Sequence, residues 1–298
     1  MPRIAMSTWT YIFPPYEEDP QDLDSVLDRA ARIGFDGVEV AWFPPHPTIG
    51  DLTTSAARAK YREKFDSRGL GLAGVVANFD GCPSILNGNN RAFLDSLDRQ
   101  LELCAELGID LLRLDITDPP EAMDALDHDA ALQRVVDTWR EAARLGSDRG
   151  VRVGWEFEPG TPFNKPSEIF RIAEEVTEPG FGIIYDTTQA HNCALGRNQR
   201  GAHEELDGGQ LEFLERLSGR ITHVHLIDAN GELYDDRFSR HIPFGQGHID
   251  WETVMPALVA AGSGDDWWTI DVCWWEDAWP VFEEGLPFVR RLAERYAT

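Results

Sequence analysis

Long apolar runs are missing from this chain. Nothing in its 298 residues approaches the ~18 consecutive apolar positions that a membrane-spanning helix needs, so no membrane span is expected. Cysteine is scarce: Cys82, Cys104, Cys193 and Cys273 are scattered, without Cys-x-x-Cys spacing. That pattern fits reduced thiols in a cytoplasmic protein and disfavours a disulfide scaffold. Basic residues are few as well. Twenty-seven Lys and Arg face 52 Asp and Glu, for a net charge of −25, and no basic run occurs. Nucleic acid is therefore not an expected partner, since its phosphate backbone is bound by Lys/Arg clusters. The acidity reads as a solvated surface that keeps the protein soluble. The N-terminus, MPRIAMSTW, enters a strand-like run at once, so no signal peptide is expected.

What is present is a regular alternation. Strand-like runs fall at 3–9, 37–43, 70–79, 111–116, 151–157, 181–186, 220–227 and 267–273. Helical patterns lie between and after them, at 20–33, 51–68, 89–107, 128–149, 166–177, 204–217, 251–261 and 280–296. Gly34, Gly69, Gly108 and Gly150 stand where helices stop, the usual left-handed cap. Eight strand-plus-helix units predict a (β/α)8 TIM barrel. The alternative, a doubly wound open sheet, would show a Gly-rich phosphate turn after the first strand, and STWTYIFPPY has none. No linker or low-complexity segment appears, so a single domain spanning 1–298 is expected.

Four chemistry-bearing residues stand at the ends of successive strands. They are Glu156 in VRVGWEFEPG, Asp186 in GFGIIYDTTQAH, His225 in RITHVHLIDA and Asp271 in DWWTIDVCWW. In a barrel these strand ends converge on the active-site face. The strand period of two puts Glu156 and Glu158 on one face, and His223 and His225 on one face above Ile221. A carboxylate turned into an apolar barrel is costly unless paired or metal-bound. Three carboxylates and one imidazole suit one divalent cation, Mn²⁺ first, with Co²⁺, Mg²⁺ or Zn²⁺ compatible. The alternative is a set of loop-mouth polar residues making ordinary hydrogen bonds.

The chain resembles the xylose isomerase-like TIM-barrel superfamily in its sugar phosphate isomerase/epimerase branch. Glu156 with the following PGTPFNKPSEIFRIAEEV, then YDTTQAH, THVHLIDA and PFGQGHIDW, carry the resemblance. The last matches the family's Gly-x-Gly-x-Ile-Asp-Trp loop. These motifs cover roughly residues 150–275; the first half matches only in rhythm. The resemblance implies metal ligands Glu156, Asp186, His225 and Asp271, where the family usually has Glu at the last position. In epimerases of the group the strand-five and strand-eight carboxylates also move the proton, which implies catalytic roles for Glu156 and Asp271. Because Asp271 is one methylene shorter, Glu158 could take over as acid or base; the alternative for Glu158 is a pair with Lys165 or Arg171. Gln189 stands where many relatives carry His, and His191 could substitute. Arg240, before PFGQG, matches an Arg that contacts substrate or a phosphate group in relatives.

Several other residues are candidates for a sugar pocket. His241 and His248 flank the PFGQG loop. Trp9, Trp42, Phe43 and His46 end the first two strands, where aromatic faces could stack on a sugar ring, although core packing is the commoner use of a Trp. Trp274, with Trp275 and Trp279, follows Asp271, and Asp228 could orient a ligand from behind. The expected activity is isomerisation or epimerisation of a keto-sugar, sugar phosphate or inosose through a metal-stabilised enediolate. A lyase on the same scaffold, eliminating water or cleaving a glycosidic bond beside a 3-keto group, is the alternative. An endonuclease of the superfamily would need three zinc ions and more histidines than strands two to six supply; strand three ends in Ala77-Asn78-Phe79. A non-catalytic barrel is the remaining reading, because of Asp271. The superfamily's aldose isomerases imply a hydride shift at a two-metal site with a Lys; this chain has only Lys60, Lys64 and Lys165, of which Lys165 alone lies near a C-terminal strand end, so proton transfer is expected instead. A small carbohydrate is the expected partner, and a homo-oligomer is left open.

Overall fold

The computed structural model describes residues 1–262 and 266–297. Seven parallel strands, β1 (Arg3–Ser7), β2 (Gly37–Ala41), β3 (Gly71–Val76), β4 (Leu111–Leu114), β5 (Arg152–Glu156), β6 (Phe181–Asp186) and β7 (Ile221–Leu226), follow one another in the chain. A short antiparallel hairpin, β8 (Leu233–Tyr234) with β9 (Phe238–Ser239), precedes the last barrel strand, β10 (Trp267–Ile270). The sheet closes in the order β1-β10-β7-β6-β5-β4-β3-β2, with β1 paired to both β10 and β2. This is the (β/α)8 barrel.

The helices are α1 (Leu23–Ile33), α2 (Ser55–Asp66), α3 (Arg91–Leu107), α4 (His128–Ser147), α5 (Pro166–Glu175), α6 (Thr187–Ala194), α7 (Gly209–Arg216), α8 (Trp251–Ala261) and α9 (Ala278–Tyr296). Local chemistry sets their ends. Asp22 caps α1 by accepting the Ser25 amide at 3.0 Å, and Gly34 ends it at φ 100°, a conformation costly for any residue with a Cβ. The apolar stripe of each helix packs against the sheet, so the strands are buried on both faces and read as nearly continuous apolar runs. No described helix is long and apolar enough to cross a membrane.

Three differences from the sequence expectation bear on the site. The strands expected over 3–9, 37–43 and 70–79 stop at Ser7, Ala41 and Val76. The apolar residues beyond them belong to loops or, for Trp9, to a 3-10 turn (Trp9–Tyr11), because the pattern continues where pairing has ended. Helix α6 and the β8–β9 hairpin were not anticipated. The helix is short and starts on a capping Asp, and each hairpin strand is two residues long, too short for a periodic signal.

The floor of the barrel is tightly fitted. Trp267 on β10 is 3% exposed and packs with Ala5 and Ala73. A Cβ at Gly37 would lie 2.5 Å from the Trp267 ring and 2.6 Å from the Gly71 carbonyl oxygen. Glycine is required here by close approach. Gly37→Ala should destabilise the fold by about 1–3 kcal/mol, the usual cost of overpacking, seen as a lower thermal midpoint. Trimming the ring in Gly37→Ala/Trp267→Leu should recover part of the loss. An unchanged midpoint in the single variant would contradict the fit.

Candidate metal centre

Glu156 is the last residue of β5 and Asp186 the last of β6. His225 is next to last on β7, and Asp271 follows β10 directly. All four are at most 2% exposed. One donor atom from each lies within 4.8 Å of the others. His225 Nδ1 is 3.4 Å from Glu156 Oε1, 3.9 Å from Asp271 Oδ2 and 4.0 Å from Asp186 Oδ2. Asp186 Oδ1 accepts the amides of Thr188 and Gln189 at 2.7 and 2.9 Å, capping α6. Its Oδ2 is buried without a hydrogen-bond partner. Such an orphaned oxygen beside two further carboxylates and an imidazole fits a cation.

Behind this cluster stands Glu39 on β2, which sequence reasoning missed. Its Oε2 is 3.0 Å from His225 Nε2 and 3.1 Å from His223 Nε2, and His223 also reaches Thr269 at 3.0 Å. Holding Nε2 from behind turns Nδ1 of His225 toward the three carboxylates, the arrangement commonly found around metal-binding histidines. Burial opposes the charge on His225, but Glu39 and Glu156 outweigh it and hold the ring well above its ordinary titration range. Burial likewise opposes the charge on Glu39, and the two imidazoles hold it well below the usual carboxylate range.

Arg113 on β4 was also missed. It donates to Asp115 at 2.9 Å, ion-pairs with Glu156 and lies 3.9 Å from Glu158. Burial raises Glu156, and Arg113 and His225 more than reverse it, leaving the carboxyl below its ordinary value. Glu158 goes the other way. Burial, with Asp115 and Glu156 adding to it against Arg113, pushes it up to about 8. Burial also lifts Asp186 to about 6, opposed by His241 and His225 and reinforced by Glu156 and Asp271. The pairs suggested for Glu158 do not form: Lys165 lies by Glu168, and Arg171 joins Asp129 and Glu175.

A cavity of about 330 Å³ opens at Asp271 of this cluster, walled by Trp9, Phe13, Phe238 and Trp274. Its polar lining is Arg113, Glu158, Gln189, His241, Asp271 and Cys273. Trp274 sits at φ 61°, a conformation that costs a non-glycine residue on the order of 1–3 kcal/mol. Its ring stacks on Tyr234 and Phe238 of the hairpin at 4.9 and 5.0 Å, which holds it there.

Residues 27–292 match the family model described as xylose isomerase-like TIM barrel. The chain belongs to that family. It is 22% identical over 281 residues to an inosose dehydratase of Erwinia tasmaniensis, covering 87% of this chain and 85% of that one. A crystal structure of IOLI protein with a binding zinc atom superposes with a TM-score of 0.72 at 17% identity, over 99% of both chains. A structure of L-ribulose 3-epimerase gives 0.71 at 16% identity, over 100% of this chain and 96% of that one. At these identities the superpositions show a shared fold.

Within the family frame, several expected pocket residues lie elsewhere. Trp42 is fully buried in the main core, and His46 is 2% exposed with Nε2 3.1 Å from the Gln21 carbonyl oxygen. Both fill space behind the strand ends and do not line the cavity. Arg240 lies over Trp275 and 3.6 Å from Glu276. His191 and the exposed His248 face each other at 6.4 Å, apart from the cavity lining. Asp228 does not touch a ligand. It accepts the amides of Ala229, Gly245 and Ile249 and the indole N–H of Trp251, so it ties down the Gly-x-Gly loop. Trp9, Gln189, His241 and Trp274 do reach the cavity. The missed Glu39 and Arg113 carried one signal: a charge inside a strand buried on both faces has no solvent side to turn to.

Burial holds His46 below its ordinary 6.5, against the pull of the Gln21 carbonyl and of Asp22. The unfolded chain therefore takes up the proton first as pH falls. The stability His46 confers is present above about pH 6.5 and is lost as pH drops toward the folded value. In His46→Gln the acid loss from this position should vanish. The stability gap between wild type and variant, measured by urea unfolding, should shrink from about pH 7 to about pH 5. A gap independent of pH would place His46 in contact with solvent.

Proposed function

We propose that the protein is a divalent-metal-dependent enzyme that removes the proton beside the carbonyl of a keto-sugar or inosose. Elimination of water from the neighbouring carbon is the outcome that its cavity favours. The observation that carries the reading is the convergence of Glu156, Asp186, His225 and Asp271 within 4.8 Å, with Asp271 also lining a cavity that holds Glu158. The four would hold the cation, manganese first on the hardness of the donor set, with cobalt, magnesium or zinc compatible. When bound, it would act as a Lewis acid on the substrate carbonyl oxygen.

The chain's own residues supply the proton chemistry. Asp271 is both in the donor cluster and on the cavity wall, so it is placed to take the proton from carbon. Glu158, raised to about 8, carries a proton at neutral pH and can give it to a departing hydroxyl, which leaves as water. Glu156 is clamped by Arg113 and His225 and serves as a ligand. The relative named inosose dehydratase supports the elimination. Isomerisation or epimerisation is the second reading: the same two carboxyl groups could return the proton to the other face or to the next carbon. The structure titled L-ribulose 3-epimerase supports it. Trp9, Phe13, Phe238 and Trp274 give the cavity an apolar side suited to the C–H face of a sugar or cyclitol.

Metal-loaded protein incubated with keto-sugars and inososes in D₂O should place deuterium beside the carbonyl, read by NMR. A product lighter by one water marks elimination; one of unchanged composition marks the second reading. Product free of deuterium from an active enzyme would overturn the proton route. Asp186→Asn keeps an oxygen to cap α6 but removes the charge. It should lose the metal and nearly all activity while retaining the circular dichroism of the barrel. Glu158→Gln should keep the metal and slow turnover by ~10²-fold or more. Unchanged turnover would assign Glu158 a packing role.

A further inference from the structure

His241, Asp271 and Cys273 form a second group of metal-type donors, again within 4.8 Å of one another, and all three line the cavity. Cys273 Sγ is 3.6 Å from Asp271 Oδ1, whereas Asp271 Oδ2 faces His225. The two oxygens of one carboxylate therefore look toward two donor groups. His241 is 1% exposed. Its Nδ1 is 3.0 Å from the Asp271 carbonyl oxygen, which fixes the ring. Its Nε2 is buried and has no hydrogen-bond partner. A buried imidazole nitrogen without a partner, in a residue grouped with a thiol and a carboxylate, is an unfilled polar site.

We propose that this chain binds a second, softer divalent cation at His241, Asp271 and Cys273, with Asp271 bridging it to the first. Thiolate, imidazole and carboxylate together suit zinc or cobalt, whereas the harder first set suits manganese. Three protein donors leave a position open toward the cavity, where a substrate oxygen or water completes the coordination. Binding displaces the Cys273 thiol proton to solvent, so the thiol enters as thiolate and nothing is oxidised or reduced. A bridging Asp271 has both oxygens engaged and takes no proton, so the proton route proposed above belongs to the chain holding the first cation alone.

The test is titration of chelator-stripped full-length protein with Co²⁺ under anaerobic conditions, following the bound metal by equilibrium dialysis and the near-ultraviolet spectrum. Two cobalt ions per chain are expected, with a thiolate-to-cobalt charge-transfer band. Cys273→Ser should lose the band and fall to one ion; Asp186→Asn should keep the band and also fall to one. Zn²⁺ beyond the first equivalent should protect Cys273 of the unaltered protein from alkylation, mapped by mass spectrometry, so the result does not depend on a variant folding. One ion per chain overturns the proposal, whether the band is absent or present; in the latter case the thiol would bind the first cation. These readouts do not involve turnover, so they stand apart from the test of the proposed reaction.

Discussion

The carboxylate of Glu39 lies inside the barrel between two imidazoles, 3.0 Å from His225 and 3.1 Å from His223, and none of the three side chains reaches solvent. An isolated charge in that place would be too costly to keep. Paired, it becomes a fixed support. Removing one member of such a buried pair leaves the other uncompensated, which typically costs ~3–5 kcal/mol. The support also has a direction. With Nε2 of His225 held by Glu39, only Nδ1 is left to face Glu156, Asp186 and Asp271. The donor cluster at the strand ends thus rests on a charge pair one layer deeper in the barrel.

That layering explains which parts of the molecule the sequence displayed. The (β/α)8 alternation was legible because each strand and helix keeps its own period and the glycines mark the helix ends. Glu156, Asp186, His225 and Asp271 were visible because each stands where an apolar run meets a loop. Glu39 and Arg113 were not, because they sit within the runs VEV and LRL, where a lone charge reads as an outward-facing residue of a half-buried strand. In a sheet covered on both faces that option is closed. Trp42 and His46 failed in the opposite sense. Standing after a strand, they read as pocket residues, but the chain turns there and folds them back into the core, with His46 bonded to Gln21.

The loops are organised by a similar economy of polar groups. Asp228 satisfies four donors, three of them from the Gly-x-Gly loop and the start of α8, so a loop that carries no regular hydrogen-bond ladder is pinned by one carboxylate. The Cβ of an alanine at Gly247 would lie 2.2 Å from the Asp228 Oδ1 atom. The second glycine of the motif is therefore needed for close approach to that carboxylate. At the cavity wall, Tyr234 and Phe238 stack on Trp274 and keep a strained backbone in place. The hairpin, too short to be seen in the sequence, thereby shapes part of the cavity wall.

Arg113 decides how the carboxyl groups can divide the work. Glu156 and Glu158 stand two residues apart on one face of β5 and its extension, and the period of two alone gives them equal claims. The guanidinium breaks the tie. It ion-pairs with Glu156, which His225 also holds, and keeps only a 3.9 Å contact with Glu158. The better-paired carboxyl stays ionised and suits a cation. The poorly paired one, buried and facing other negative charge, keeps its proton to about pH 8. Two like residues in nearly the same place are thus driven apart in protonation by one cation that neither composition nor periodicity revealed. In the proposed reaction this separates ligand from acid and leaves Asp271, shared between the cluster and the cavity wall, as the carboxylate in position to meet the carbon-bound proton.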